Sequence, residues 1–176
     1  MKLGEKGFTY IELVVALAII ALISGATATA TFQVLRGTGQ NNDHMTAVHQ
    51  VHNAGYWISR DAQMAQSVST DDLTSPDFLV LSWTERDYTD NPTYHSVTYF
   101  FEDLTDGVGK LKRSHWSSTG INEQTLVAEY IFYDPDDPDN TSKASYQSPV
   151  LTVQLTSLLE RASETREYSI KRRPNL

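Results

Sequence analysis

The chain has 176 residues and a mass of 19.7 kDa, the size of one domain. Hydrophobic residues make up 40%, enough for a packed core, so disorder throughout is excluded. A formal net charge of -8 argues against a nucleic-acid binder, and the absence of cysteine removes disulfides, thiolate chemistry and Cys-based zinc sites.

From Leu13 to Leu35 there are 23 residues without a charge, and residues 13–23 (LVVALAIIALI) are almost wholly aliphatic. About 20 apolar residues cross a bilayer as a helix, at about 1.5 Å per residue. Beyond Arg36 the chain is acidic, with 11 Lys/Arg against 20 Asp/Glu. The pattern predicts one membrane segment near the N-terminus and one soluble domain behind it.

A secretory signal peptide is one interpretation, since Ala26-Thr27-Ala28 and Ala28-Thr29-Ala30 resemble signal-peptidase sites. A plain membrane anchor is another. Neither explains the charges ahead of the apolar run: Lys2, Glu5, Lys6 and Glu12 cancel, whereas a secretory n-region is positive. An acidic side chain inside a membrane helix costs about 2.5–3.5 kcal/mol on insertion scales and marks function. Glu12 abuts the aliphatic run, with Phe8, Tyr10 and Ile11 on its other side.

Gly7-Phe8-Thr9-Tyr10-Ile11-Glu12 followed by an uncharged helix resembles the processing and assembly motif of type IV prepilins and pseudopilins. Residues 1–7 match the leader peptide, Phe8 the new N-terminus and Glu12 the fifth residue of the mature chain. Tyr10 stands where the family has Leu, and Glu5 dilutes the leader's positive charge. The resemblance implies cleavage after Gly7 by prepilin peptidase and methylation of the Phe8 amine. It also implies pairing of Glu12 with the Phe8 amine of a neighbouring subunit, which removes two unpaired charges from a low-dielectric bundle.

Arg36–Asp43 contains Gly37 and Gly39, each weakening a helix by about 1 kcal/mol, so the helix is expected to bend or loosen over residues 37–42. Val48, Val51, Gly55, Ile58, Ala62 and Ala65 then recur at spacings of three and four, an amphipathic stripe through about Ser67. After Pro76 the period becomes two. Strands are predicted at 78–83, around Val97, Tyr99 and Phe101, at 109–114, 126–133, 151–156 and 166–171, with Asp106-Gly107 as a hairpin turn. In 126–133 the alternation places Leu126, Ala128, Tyr130 and Phe132 on one face.

The resulting fold class is α+β: a long N-terminal helix on an antiparallel sheet of about six strands. The divisions are a leader at 1–7, a transmembrane and filament-core helix at 8–35, an amphipathic helix at 36–67 and a β domain at 68–176.

Within that family, Arg60-Asp61-Ala62-Gln63-Met64-Ala65 resembles the helix end of J-type minor pseudopilins and W-type minor pilins. Tyr99-Phe100-Phe101 followed by Gly109-Lys110-Leu111-Lys112-Arg113 resembles their paired strands, and Arg172-Arg173-Pro174-Asn175 their C-terminal ending. Residues 84–95 and 134–149 match nothing in that pattern.

Asp134, Asp136, Asp137 and Asp139 fall within seven residues and are weak candidates for Ca²⁺, though their spacing is not that of a known calcium loop and suits a solvated turn. No other cofactor is expected. His44, His49 and His52 fit a polar helix face better than a metal pair. With no nucleophile elbow, phosphate loop or H-E-x-x-H motif, the chain is read as a non-enzyme.

The function implied is that of a minor pilin or pseudopilin, a subunit that primes a type IV pilus or type II secretion filament. Its implied partners are prepilin peptidase, the major and other minor subunits, the inner-membrane assembly machinery and the lipid bilayer, with no nucleic acid. The implied location is single-pass in the cytoplasmic (inner) membrane with the globular domain outside the cytoplasm, then the filament or its tip. The alternative is a secreted or membrane-anchored binding module behind an ordinary signal segment.

Overall fold

The structure, a computed structural model, describes residue 7 and residues 9–71, 73, 76–88, 90–134 and 141–172. Helix α1 (Tyr10–Met64) is followed by eight strands: β1 (Ser67–Ser69), β2 (Asp77–Arg86), β3 (Pro92–Thr105), β4 (Val108–Ser117), β5 (Asn122–Phe132), β6 (Lys143–Gln147), β7 (Val150–Leu159) and β8 (Ala162–Lys171). All pairings are antiparallel, in the order β1-β2-β3-β4-β5-β7-β6, with β8 also paired to β7. The α+β layout with a long N-terminal helix fits the pilin-like fold expected from the sequence.

The chain divides after Asn42 into two compact units. In the first, α1 continues through Gly37 and Gly39 without a break, contrary to the expected loosening. Helix on both sides spares these residues a new nucleation step. The helix ends at Met64, before the expected Ser67, because the Gln66 N–H leaves the helical ladder and donates to the Ser82 carbonyl at 2.8 Å.

In the second unit, the helical stripe of Val51, Ala54, Ile58 and Ala62 packs with Leu79, Leu81, Val97, Phe101, Leu111, Leu155 and others into one core. Each fully buried Val, Leu or Ile contributes about 1.5–3 kcal/mol relative to exposure. Ala47 is buried where Val48 is only half-buried, so the stripe is rotated slightly from the predicted one. Gly55 lies against β8: a Cβ there would sit 2.1 Å from Cζ of Tyr168. The Tyr168 hydroxyl donates to the Val51 carbonyl at 3.0 Å.

All six predicted strands are present. β1 and β6 are additional: Ser67–Ser69 and Lys143–Gln147 hold too few apolar residues to show a period. The single face predicted across residues 126–132 is corrected. Val127, Ala128 and Ile131 are buried, while Leu126 and Tyr130 are exposed. Two register shifts against β4 explain this, since Leu111 pairs with Ala128 but Lys112 with Leu126, and Gly109 with Ile131. Each extra residue reverses the alternation.

Candidate processing and assembly segment and the anchor of the soluble domain

Gly7 is exposed, lies outside the helix, and has open space where a Cβ would stand. Nothing among the described residues therefore demands glycine there. Phe8 lies outside the described residues. The Thr9 carbonyl accepts from the N–H groups of Glu12 and Leu13 at 3.1 and 3.3 Å, so Thr9 caps α1 and Glu12 sits in its first turn. Thr9 and Glu12 hold the Thr-x-x-Glu spacing of a capping box, with Thr9 Oγ1 to Glu12 Oε2 at 3.5 Å. A carboxylate there also suits the positive end of the helix dipole. The Thr-x-x-Glu spacing signals this cap within the four residues themselves, alongside the intramembrane charge that Glu12 presents.

Along the apolar part of the helix, Leu17, Ile20, Leu22, Ile23 and Phe32 are all more than half exposed. An 18-residue window of α1 reaches a mean hydropathy of 2.3 with none of it buried. So large an apolar surface on a soluble protein marks contact with a membrane or a partner. Three of its hydroxyls are satisfied within the helix. Thr27, Thr29 and Thr31 donate their hydroxyls to carbonyls four residues back, at 2.8–2.9 Å. These three hydroxyls thus meet the requirement that a polar group in a bilayer find an internal partner.

The second unit is organised around a buried charge. Asp61, inside the helical stripe, is fully buried and accepts from Arg113 Nε at 2.6 Å and Nη2 at 3.1 Å. The Tyr99 hydroxyl donates to the same carboxylate at 2.6 Å. Arg113 also lies 5.4 Å from the centre of the Trp57 ring. Burial opposes the charge on Arg113, but the hydrogen bond and charge of Asp61 outweigh it and raise its pKa. Burial, reinforced by the Asp61 charge, pushes the Tyr99 hydroxyl up, so it remains a donor. Asp61 and Arg113 come from the two sequence segments singled out above, and their meeting was not predicted.

The helix also serves the irregular strand. Asn53 Nδ2 donates to the Val127 carbonyl at 2.6 Å, and the Glu129 N–H donates to Gln50 Oε1 at 2.7 Å. Both main-chain groups lie where β5 slips register against β4, so helix side chains supply the bonds displaced from the ladder.

Residues 2–28 match the prokaryotic N-terminal methylation motif. This match supports a type IV prepilin-like chain processed by prepilin peptidase, and indicates a structural subunit. With the apolar helix it fits an inner-membrane-anchored protein. Comparison with curated proteins and with solved structures finds no match.

Among the candidate metal ligands, Asp134 is half-buried, its N–H donating to Thr141 Oγ1 at 2.6 Å, whereas Asp136, Asp137 and Asp139 lie outside the described residues. His44, His49 and His52 are exposed on α1. Among the described residues, no three His, Asp or Glu side chains are grouped to hold a metal.

Proposed function

We propose that the chain is a minor pilin or pseudopilin, closest to the J and W types, that helps prime a type IV pilus or type II secretion filament. The observation that carries this is the Gly7–Glu12 segment: a glycine ahead of the helix, a carboxylate in its first turn, and an uncovered apolar span behind. In this function Gly7 lets the backbone enter the protease cleft and Phe8 becomes the methylated N-terminus. Glu12 receives the Phe8 amine of the adjacent subunit, so both charges lose their partnerless state when the subunit leaves the bilayer. The pairing of Asp61 with Arg113 supports the finer assignment, because both residues come from segments that resemble the J and W types.

Mass spectrometry of the protein purified from its own cells tests the function. The expected mature chain begins at Phe8 with a methylated amine, and Gly7→Phe leaves the precursor uncut. An N-terminus at Thr29 or Thr31 would establish the secreted binding module instead.

A further inference from the structure

We infer that the outer face of β2, β3 and β4 is a binding platform for a neutral oligosaccharide. Antiparallel register sets Ser67, Ser82, Ser96, Trp116 and Asn122 in one row across five strands. Beside it a second row holds Thr84 and Tyr94, flanked by Gln66 and Ser118. On the other side, the row from Ser69 to Gln124 is also uncharged. In a chain that is 20% charged, three adjacent rows carry no formal charge. The core-facing residues of the same strands, Leu81, Val97 and Tyr99, are fully buried, so these rows form the opposite, outer surface.

Two rings stand out on this surface: Tyr94 is 54% and Trp116 49% exposed. They lie two residues apart along the register, on a diagonal of about 7–8 Å between backbones. Both line a shallow groove of about 380 Å³ together with Gln66, Ser82 and Ser96, to which Trp83 and His95 also contribute. That volume falls in the ~300–1,000 Å³ range of small-ligand clefts.

The chemistry selects the occupant. The rows themselves carry no formal charge to hold a phosphate, a nucleic acid or a charged peptide, and the guanidiniums at their margin are engaged within the chain, Arg86 by Asp90 at 2.8 Å and Arg172 by the Gln66 carbonyl. Aromatic faces offer an apolar, polarisable surface, and hydroxyl and amide groups beside them offer donors and acceptors. A pyranose has both complements, an apolar C–H face and a rim of hydroxyls.

The platform is fixed before any ligand arrives. Gln66 bonds the main chain of Thr84 twice, at 3.1 Å each, and the Tyr94 N–H donates to Ser118 Oγ at 3.0 Å. On the reverse of the same strands, Trp83, His95 and His115 stack with centroids 5.1 Å (Trp83–His95) and 5.4 Å (His95–His115) apart. A rigid face loses little entropy on binding. This inference does not depend on how the N-terminus is processed.

Isothermal titration of the full chain in a sugar-free detergent tests it, with cellohexaose, maltohexaose and chitohexaose as probes. At least one is expected to bind saturably. Trp116→Ala should weaken binding at least about tenfold and Tyr94→Ala several-fold, with melting midpoints unchanged. Leu126→Ala, on the same sheet but off the platform, should bind as the unaltered chain does. Absence of saturable binding by all three sugars, or equal binding by Trp116→Ala and Tyr94→Ala, overturns the proposal. So does a Trp116→Ala chain that loses co-purifying filament subunits while no sugar binds the unaltered protein, since the face is then a protein contact.

Discussion

The two stretches of α1 divided at Asn42 are one helix by backbone but differ in what surrounds them. Residues 10–35 are exposed around the whole circumference, with apolar side chains on every side and threonine hydroxyls turned back onto their own carbonyls. Residues 43–64 bury a single stripe, and their polar side chains at Gln50, Asn53 and Asp61 reach across to strands. The first stretch turns its threonine hydroxyls onto its own backbone and leaves its apolar surface for others to cover. The second covers its apolar surface within the chain and uses its polar groups as ties. Helix formation is common to both; the choice of surroundings is written in where the polar atoms find their partners.

The sharpest way to break this contrast is at Asp61. Asp61→Ala leaves Arg113 buried without its partner, and in the fragment 43–176 it is expected to cost about 3–5 kcal/mol by urea denaturation. Asp61→Leu with Arg113→Met and Tyr99→Phe should restore most of that loss, because the charge leaves together with both groups that bond it. A single variant as stable as the parent would mean the tie is dispensable.

A smaller effect is expected at Gly55. Alanine there places a Cβ within the Tyr168 ring position, so the helix and β8 must separate or the ring must turn away from Val51. The expected loss is about 1–3 kcal/mol, read as a lower denaturation midpoint. Gly55→Ala with Tyr168→Ser should recover part of it.

Acid acts on the same domain through His115, held below the usual imidazole value of 6.5 by burial, then by the charges of Arg113 and His95. The unfolded chain therefore takes up a proton before the folded one does. Stability should be fullest above about pH 6.5 and decline as the pH falls toward and through the lowered folded value. His115→Gln should flatten the thermal midpoint over that window. An unchanged slope would exclude His115 as the source.

Glu12→Ala marks the small end of the scale. Placed in the first stretch, it should leave the melting midpoint of the soluble domain where it was and spare membrane insertion. Recovery of partner subunits in co-purification should nevertheless fall. Equal recovery would count against the proposed pairing with Phe8 of a neighbour.

Much of the fold is legible in the residues. Alternation in Val97–Phe101 and Leu151–Leu155 gives faces that the structure keeps, because β7 runs in register with β8 and the shift that β3 meets at Tyr99–Phe100 is taken up by an extra residue, Phe78, in β2. β5 defeats the same rule, since its two register shifts depend on pairing with β4 and leave no local trace beyond an unbroken apolar run. Asp61 was legible as part of a motif but not as a core residue. A charge inside an apolar stripe reads as a boundary until its partner, 52 residues away, is known. The N-terminal segment is the reverse case: Gly7, Glu12 and the apolar run are contiguous, so the short sequence carries their relation without any fold.

The threonine hydroxyls between Ile23 and Thr38 have one more consequence. Because each is bonded four residues back, exchanging lipid tails for neighbouring helices breaks no polar bond in that segment. These four threonines then hold the helix to its neighbours through apolar contact, which is non-directional. Under the proposed assembly, the carboxylate in the first turn would then carry the directional information that these threonines do not.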